Sequence, residues 1–305
     1  MHATREPFAK RVGRLPTLGL GISTEYGARS SGGLDPLQLA AEHPDFARFL
    51  EVGIEADKGL DDDARRWVAE GRPTTYHFLD VNLDEPEDLD PAWLARVRAH
   101  IGALHPAWLC GDAGLWHFGP RERGHMLLLP PVLTRESAHA LASGIRALSA
   151  ATGLEVLPEN PPGQVFIGDL HLLEFFAEVA EEADTGLLLD LAHLAIYQRT
   201  QGLAPDHGLA DFPLERVVEI HVAGGTERTC EGLPWVEDTH GGEVLPEVWS
   251  LFETVVLRAP NLKAVIFECE RNPIQATLPG FARLAATLGS AFVSAPIPTE
   301  PMNAR

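Results

Sequence analysis

The sequence predicts an α/β protein, a (β/α)8 TIM-type barrel. Three observations carry that expectation. Eight short apolar or β-branched runs recur along the 305 residues, punctuated by Gly and Pro. Between them lie longer segments whose apolar residues fall at three- and four-residue spacing, the period of an amphipathic helix. No G-x-G-x-x-G follows any run, which counts against a dinucleotide-binding doubly wound sheet, the competing architecture. One barrel domain is expected over residues 1–293, with 294–305 (SAPIPTEPMNAR) a flexible tail.

The elements follow in order. Strands are predicted at 17–22 (TLGLGI), 48–54 (RFLEVGI) and 74–81 (TTYHFLDV), then a helix at 91–104 and a fourth strand at 107–110 (AWLC). A helix over 134–152 opens on Thr134, whose hydroxyl can cap the first free amides, and stops at Gly153. Strand five is 154–159 (LEVLPE), followed by a helix at 169–183 and strand six at 186–190 (GLLLD). Strand seven is 217–222 (VVEIHV), with a helix at 245–258 after it. Strand eight, 264–268 (AVIFE), and a helix at 274–288 complete the repeat.

Composition narrows the function. Lys and Arg number 24 against 44 Asp and Glu, a net charge of −20, which repels nucleic-acid phosphates and anionic membranes. The three cysteines, Cys110, Cys230 and Cys269, are scattered without a C-x-x-C, so a disulfide scaffold is disfavoured and a reducing cytoplasm is the expected setting. Residues 1–16 lack the apolar stretch of a secretory signal, and no segment has the apolar length of a membrane span. The acidic run 80–90 reads as a solvated loop or helix start. His2, His43, His100, His105, His125, His139 and His171 fall away from strand ends and are expected at the surface.

In a barrel of this kind the chemistry gathers at the C-terminal ends of the strands. Those ends hold His77 on strand three, Asp112 after strand four, Glu159 and Asn160 on strand five, and Asp190 with His193 on strand six. His221 lies on strand seven, Asp238 and His240 in the loop expected after it, and Glu268 with Glu270 at strand eight. Carboxylates and imidazoles are the ligand set of divalent transition metals. Glu159, Asp190, Asp238 and Glu268 cannot share one partly buried mouth as uncompensated anions, and two or more cations would neutralise them and recruit the imidazoles. The motifs of other chemistries are missing: there is no G-x-S-x-G, no G-x-x-x-x-G-K-[ST] and no H-E-x-x-H.

At these residues the sequence resembles the multinuclear non-heme iron-dependent oxidative enzymes, the MbnB/TglH-like family. The matching pieces run from about Gly19 to Pro273: GLGIS, LEVGIEAD, His77, LLLPPVLTRESA, LPEN, GLLLDLAH, IHVAGG, EDTH, Val248–Trp249 and IFECE. The resemblance implies a barrel holding two or three iron ions (Fe2+/Fe3+), with O2 as co-substrate. It implies oxidative modification of a residue, often Cys, in a ribosomally synthesised precursor peptide, aided by a partner protein that recognises the leader. By motif position His77, Glu159, Asp190, His193, His221, Asp238, His240 and Glu268 would be metal ligands, with Asn160 beside them. Asp112 and Glu270 are the acid–base candidates. Two departures stand out. Ala113 replaces a His of the family pattern after strand four, where His117 is the substitute at hand, and Gly225 replaces a second His after strand seven. Together they favour two metals over three. Two other readings use the same residues: a divalent-metal sugar isomerase on a xylose-isomerase-like barrel, and a degenerate barrel that binds metal or peptide without catalysis.

Overall fold

The computed structural model describes residues 5–24, 32–119, 123 and 127–293; the expected tail at 294–305, and His2 and His125, lie outside them. In chain order come α1 (Phe8–Arg11), β1 (Gly19–Thr24), α2 (Pro36–Glu42), β2 (Leu50–Ile54), α3 (Asp62–Ala69) and β3 (Thr74–Phe78). Next are α4 (Pro91–Leu104), β4 (Leu109–Asp112), α5 (Arg135–Thr152), β5 (Val156–Glu159), α6 (Leu172–Ala183) and β6 (Leu187–Asp190). The chain continues with α7 (Leu191–Thr200), β7 (Val217–Cys230), β8 (Leu233–Gly241), α8 (Pro246–Val256), β9 (Ala264–Glu268), α9 (Ile274–Leu288) and α10 (Ser290–Val293). Strands β1 to β7 and β9 are parallel and close into an eight-stranded barrel, β6 pairing with β7 and β9 with both β7 and β1. This is the (β/α)8 TIM barrel that the alternating pattern predicts.

Local chemistry sets the element ends. Thr134 caps α5 by accepting from Ser137 N, and Gly153 terminates it at φ 78, a conformation glycine adopts without cost. Asp90 caps α4 ahead of Pro91 at the first helical position. Helix α7 escapes the sequence reading because Leu191 to Gln198 are all buried, so no polar face marks its period. The short helix α2 carries too few turns to show a stripe, whereas α3 has one over two turns, with Ala64 and Trp67 buried and Arg65 and Arg66 exposed.

Three expectations are corrected. Strand four runs over Leu109–Asp112 rather than 107–110, which places Asp112 inside the strand beside Glu159 of β5. The segment holding Asp238 and His240 is not a loop: β7 continues to Cys230 and folds back antiparallel as β8. The acidic run 80–90 is not a solvated loop throughout. Asp80 is buried, accepting from Ala56 N and Trp93 Nε1, and buried Asp88 accepts from Asn82 N and pairs with Arg123.

Two apolar cores hold the barrel. The larger lies between the strands and the surrounding helices. The smaller fills the N-terminal half of the barrel interior with Leu18, Phe49, Leu157, Leu188, Val218 and Ile266, and Phe8 of α1 and the Val12 that follows it plug the lower mouth. Gly21 leaves room for the Phe49 ring, since a Cβ there would lie 2.4 Å from it.

Candidate metal centre

Above the apolar layer the interior turns polar. Strand register places Asp112 beside Glu159, Asp190 beside His221, and Ala223 beside Glu268, so side chains at the strand ends converge on one mouth. His77 Nε2 lies 2.8 Å from Glu159 Oε2. His221 Nδ1 lies 3.3 Å from both Glu159 Oε1 and Glu268 Oε1, and its Nε2 is 3.2 Å from Glu51 Oε1. Asp190 caps α7 through one carboxylate oxygen, accepting from His193 N, while Asn160 locks its backbone in place by donating to Asp190 O and accepting from Asp190 N. The first turn of α7 thereby brings His193 in, with Nδ1 donating to Asn160 O at 2.8 Å and Nε2 facing Asp238 Oδ2 at 3.1 Å.

Strand β8 supplies the last two groups through a bulge. Gly224 pairs with Gly241 and Gly225 with Asp238, so Thr239 and His240 are extra to the ladder. His240 sits at φ 48, a left-handed conformation uncommon for a residue with a side chain, and Asn272 Nδ2 holds its carbonyl at 2.7 Å. The bulge turns both Asp238 and His240 toward the barrel mouth: His240 Nε2 is 3.4 Å from Asp238 Oδ2 and 3.7 Å from Glu268 Oε2. Behind it, Glu270 accepts from His240 Nδ1 at 3.0 Å and from the Ser23 hydroxyl.

The electrostatics record how crowded this mouth is. Burial and the neighbouring Glu159 charge push Asp112 up to about 7. Burial works to lower His77, yet the Glu159 hydrogen bond and the Glu51 charge hold it up at about 9. His193, His221 and His240 are held well above the ordinary imidazole range by surrounding carboxylates despite burial. Glu159 is held low against burial chiefly by His221, and Asp238 chiefly by His240.

The residues present fit a divalent metal. Asp112 Oδ1, Asp190 Oδ2, Asp238 Oδ1 and Glu268 Oε2 are buried without a hydrogen-bond partner, and the ring nitrogens of His221 meet their carboxylate neighbours without a well-aligned hydrogen bond. Native proteins rarely leave so many buried polar atoms unpaired, and lone pairs aimed into one space are what a cation satisfies. Groups whose donor atoms lie within 4.8 Å of one another include His77–Asp112–Glu159, Glu159–Asp190–His193, Asp190–His221–Glu268 and His240–Glu268–Glu270. His77, Asp112, Glu159, His193, Asp238, His240, Glu268 and Glu270 line a cleft of about 420 Å³, together with Ser23, Leu79, Trp116, Leu128, Pro162 and Arg271, while Asp190 and His221 are not among its lining residues.

Not every expected residue joins them. His117 is buried with Nε2 on Asp88 and Nδ1 on Gly119 O, both at 2.9 Å, and stands outside the cluster. Ala113 packs in the larger core, its amide donating to Glu159 O at 3.0 Å. A Cβ at Gly225 would lie 2.8 Å from Val236 Cγ1, so the space of the second absent imidazole is filled. Sequence reasoning missed Glu51 and Glu219. Both are buried below His221; Glu51 accepts from Cys110 and Thr75, Glu219 from Trp108 Nε1. Burial and the Glu51 charge push Glu219 up to about 8. A carboxylate inside each of the apolar runs RFLEVGI and VVEIHV was the available signal.

A family profile described as RiPP precursor modification enzyme MbnB/TglH/ChrH matches residues 35–290. The chain belongs to this family. MbnB/TglH/ChrH proteins act on RiPP precursors, the ribosomally made peptides that are modified after synthesis. Relatives called UPF0276 protein include one from Neisseria meningitidis, 30% identical over 242 residues, covering 78% of this chain and 80% of its own length. Another, from Anaeromyxobacter, is 27% identical over 260 residues, covering 84% and 90%. Among solved structures the barrel is similar to the IOLI protein with a bound zinc atom (TM-score 0.57, 12% identity, 88% of this chain and 98% of that one). It is also similar to a xylose isomerase-like TIM barrel protein from Mycobacterium smegmatis in complex with magnesium (TM-score 0.53, 11% identity, 90% and 98%). At these identities the likeness concerns the fold. Among the described residues no helix is long and apolar enough to cross a membrane.

Proposed function

We propose that this MbnB/TglH/ChrH member is an iron-dependent, O2-using oxidoreductase that oxidatively modifies a side chain, cysteine foremost, of a ribosomally synthesised precursor peptide. The observation that carries the reading is the set of buried carboxylate oxygens without a hydrogen-bond partner, on Asp112, Asp238 and Glu268, at an open cleft that His77, His193 and His240 also line. His77, Glu159, Asp190, His193, His221, Asp238, His240 and Glu268 would hold the iron. When bound, iron supplies one-electron redox chemistry and an open position for a soft substrate atom such as a thiolate. Two ions suit this chain better than three, because Ala113 and Gly225 leave no donor at the family's other histidine positions.

The chain's own residues do the rest. Asn160 and the cap on α7 fix the Asp190–His193 pair, and the Asn160 carbonyl dictates that His193 offers Nε2 to the cleft. Both oxygens of Glu270 are engaged, by Ser23 and His240, so Glu270 positions His240. Asp112, which faces the cleft with one oxygen unpaired, is the better placed of the two acid–base candidates. Trp116, Leu128 and Leu79 give the cleft an apolar wall. A leader-recognising partner protein and a reducing, cytoplasmic setting complete the reading.

The test is metal analysis of protein purified without oxygen, with Mössbauer spectroscopy on an iron-57 preparation. About two irons per chain, part ferrous and part ferric, support the reading. Stoichiometric zinc, manganese or magnesium without iron overturns it in favour of an isomerase-like enzyme, and no metal at all favours a non-catalytic barrel.

A further inference from the structure

Large apolar side chains exposed among the described residues are Phe118, Leu129, Val132, Val165, Ile167 and Leu257. All but Leu257 fall in two loops on the C-terminal face, the one after β4 and the one after β5. A folded chain normally scatters such residues, and their gathering marks a binding surface. The two loops are also built as one platform. Leu133 N donates to Ile167 O at 2.7 Å, Asp169 N returns to Leu133 O at 3.1 Å, and Leu133 pairs with Gly168 in parallel register. Gly163 packs so closely on Pro130 that a Cβ would sit 2.4 Å from its ring.

This platform is continuous with the cleft. Leu128 and Pro162 line the cleft, and the apolar residues resume next to each of them, at Leu129 and Val132 on one loop and Val165 and Ile167 on the other. Gln164 Nε2 donates to Val236 O at 2.6 Å, tying the platform to β8, the strand that carries Asp238 and His240. A cleft of about 420 Å³ has the size of a small-ligand site, whereas an extended chain advances about 3.3 Å per residue. A peptide with one residue over the metal centre must leave the cleft within a few residues.

We propose that the Leu129–Val132–Val165–Ile167 shelf is a docking site for the precursor peptide itself, and that it takes apolar side chains a few positions from the residue being modified. This rests on the peptide-modifying reading above and adds the side-chain chemistry that the flanking positions must have. The four side chains of the shelf are uncharged, so they select by apolar contact and leave the reacting residue to the cleft.

The experiment uses the metal-loaded full chain and two fluorescent decapeptides with a central Cys. One has Leu and Val three and four positions from it on each side and the other has Ser there; binding is read by anisotropy. The expected result is that the wild type binds the Leu/Val peptide about tenfold more tightly than the Ser peptide. Val165→Ser/Ile167→Ser should abolish that preference while melting temperature and metal content stay at wild-type values. A wild type without the preference, or a double variant that keeps it, overturns the proposal; the second outcome is also the one expected if the shelf receives a partner protein. Because the readout is binding, the result stands apart from the metal analysis: purified protein found to hold zinc and no iron would sink the iron reading, and a preference kept by that same protein would leave the shelf intact.

Discussion

The two ends of the barrel interior are built from the same strands and solve opposite problems. At the N-terminal end Leu18, Phe49, Leu157, Leu188 and Ile266 fill the space and α1 closes it, with Arg11 anchored to Glu155 and to the Asp184 carbonyl. At the C-terminal end the same strands present carboxylates and imidazoles, several of them unpaired and buried. One end lowers the free energy of the fold by removing apolar surface from water. The other costs free energy by burying carboxylates and imidazoles in a low dielectric with several oxygens left without a hydrogen bond, and a bound cation would offset that cost. Stability and function are thus segregated along one axis, the lower half supporting strain that the upper half stores.

Breaking this comparison begins at the lower end, where the largest effect is expected. Phe49 is fully buried in the smaller core, so Phe49→Ala should cost about 3–5 kcal/mol in urea denaturation while leaving metal per folded chain unchanged. Asp238→Ala should act in the reverse way. Retained metal and peptide modification should fall about a hundredfold or more, since even outer-sphere losses cost ~10–100-fold. Gly21→Ala drives a methyl into the Phe49 ring and should cost about 1–3 kcal/mol without touching metal content. Glu270→Gln keeps the shape but weakens the orientation of His240, and roughly tenfold lower metal affinity is expected by competition with a chelator.

The smallest effect belongs to Asp184, which anchors α1. Burial opposes its charge, but the Phe8 amide and Arg11 hold its carboxyl below the ordinary value. Its contribution is therefore complete above the unfolded value near ~3.9 and is lost as pH falls through the lower folded value. The carboxylate is 43% exposed, so Asp184→Asn should cost less than about 1 kcal/mol at pH 7. The gap between the two melting curves should close as the solution is acidified below about pH 4.

Much of this was legible in the residues. Strand nine of the structure, Ala264–Glu268, and helices Pro91–Leu104 and Ile274–Leu288 coincide with the sequence expectation, because apolar period and caps act over a few residues. The strand-end carboxylates were legible for a similar reason: a charge closing an apolar run has to be at a mouth. His117 was not, because its partner Asp88 is 29 residues away and nothing local reveals that the pair forms. Glu51 and Glu219 were overlooked because a charge inside a strand reads as a solvent-facing alternate until closure of the barrel turns that face inward.

The sequence by itself determined the barrel, the family and the kinds of donor available, since periodicity, caps and residue chemistry are properties of short segments. Only the tertiary structure decided which donors meet. The bulge that turns Asp238 and His240 into the mouth, the burial of Asp88 with His117, and the carboxylate pair beneath His221 all depend on strand register and closure. Those bring together residues far apart along the chain, and no local pattern encodes the distance between them.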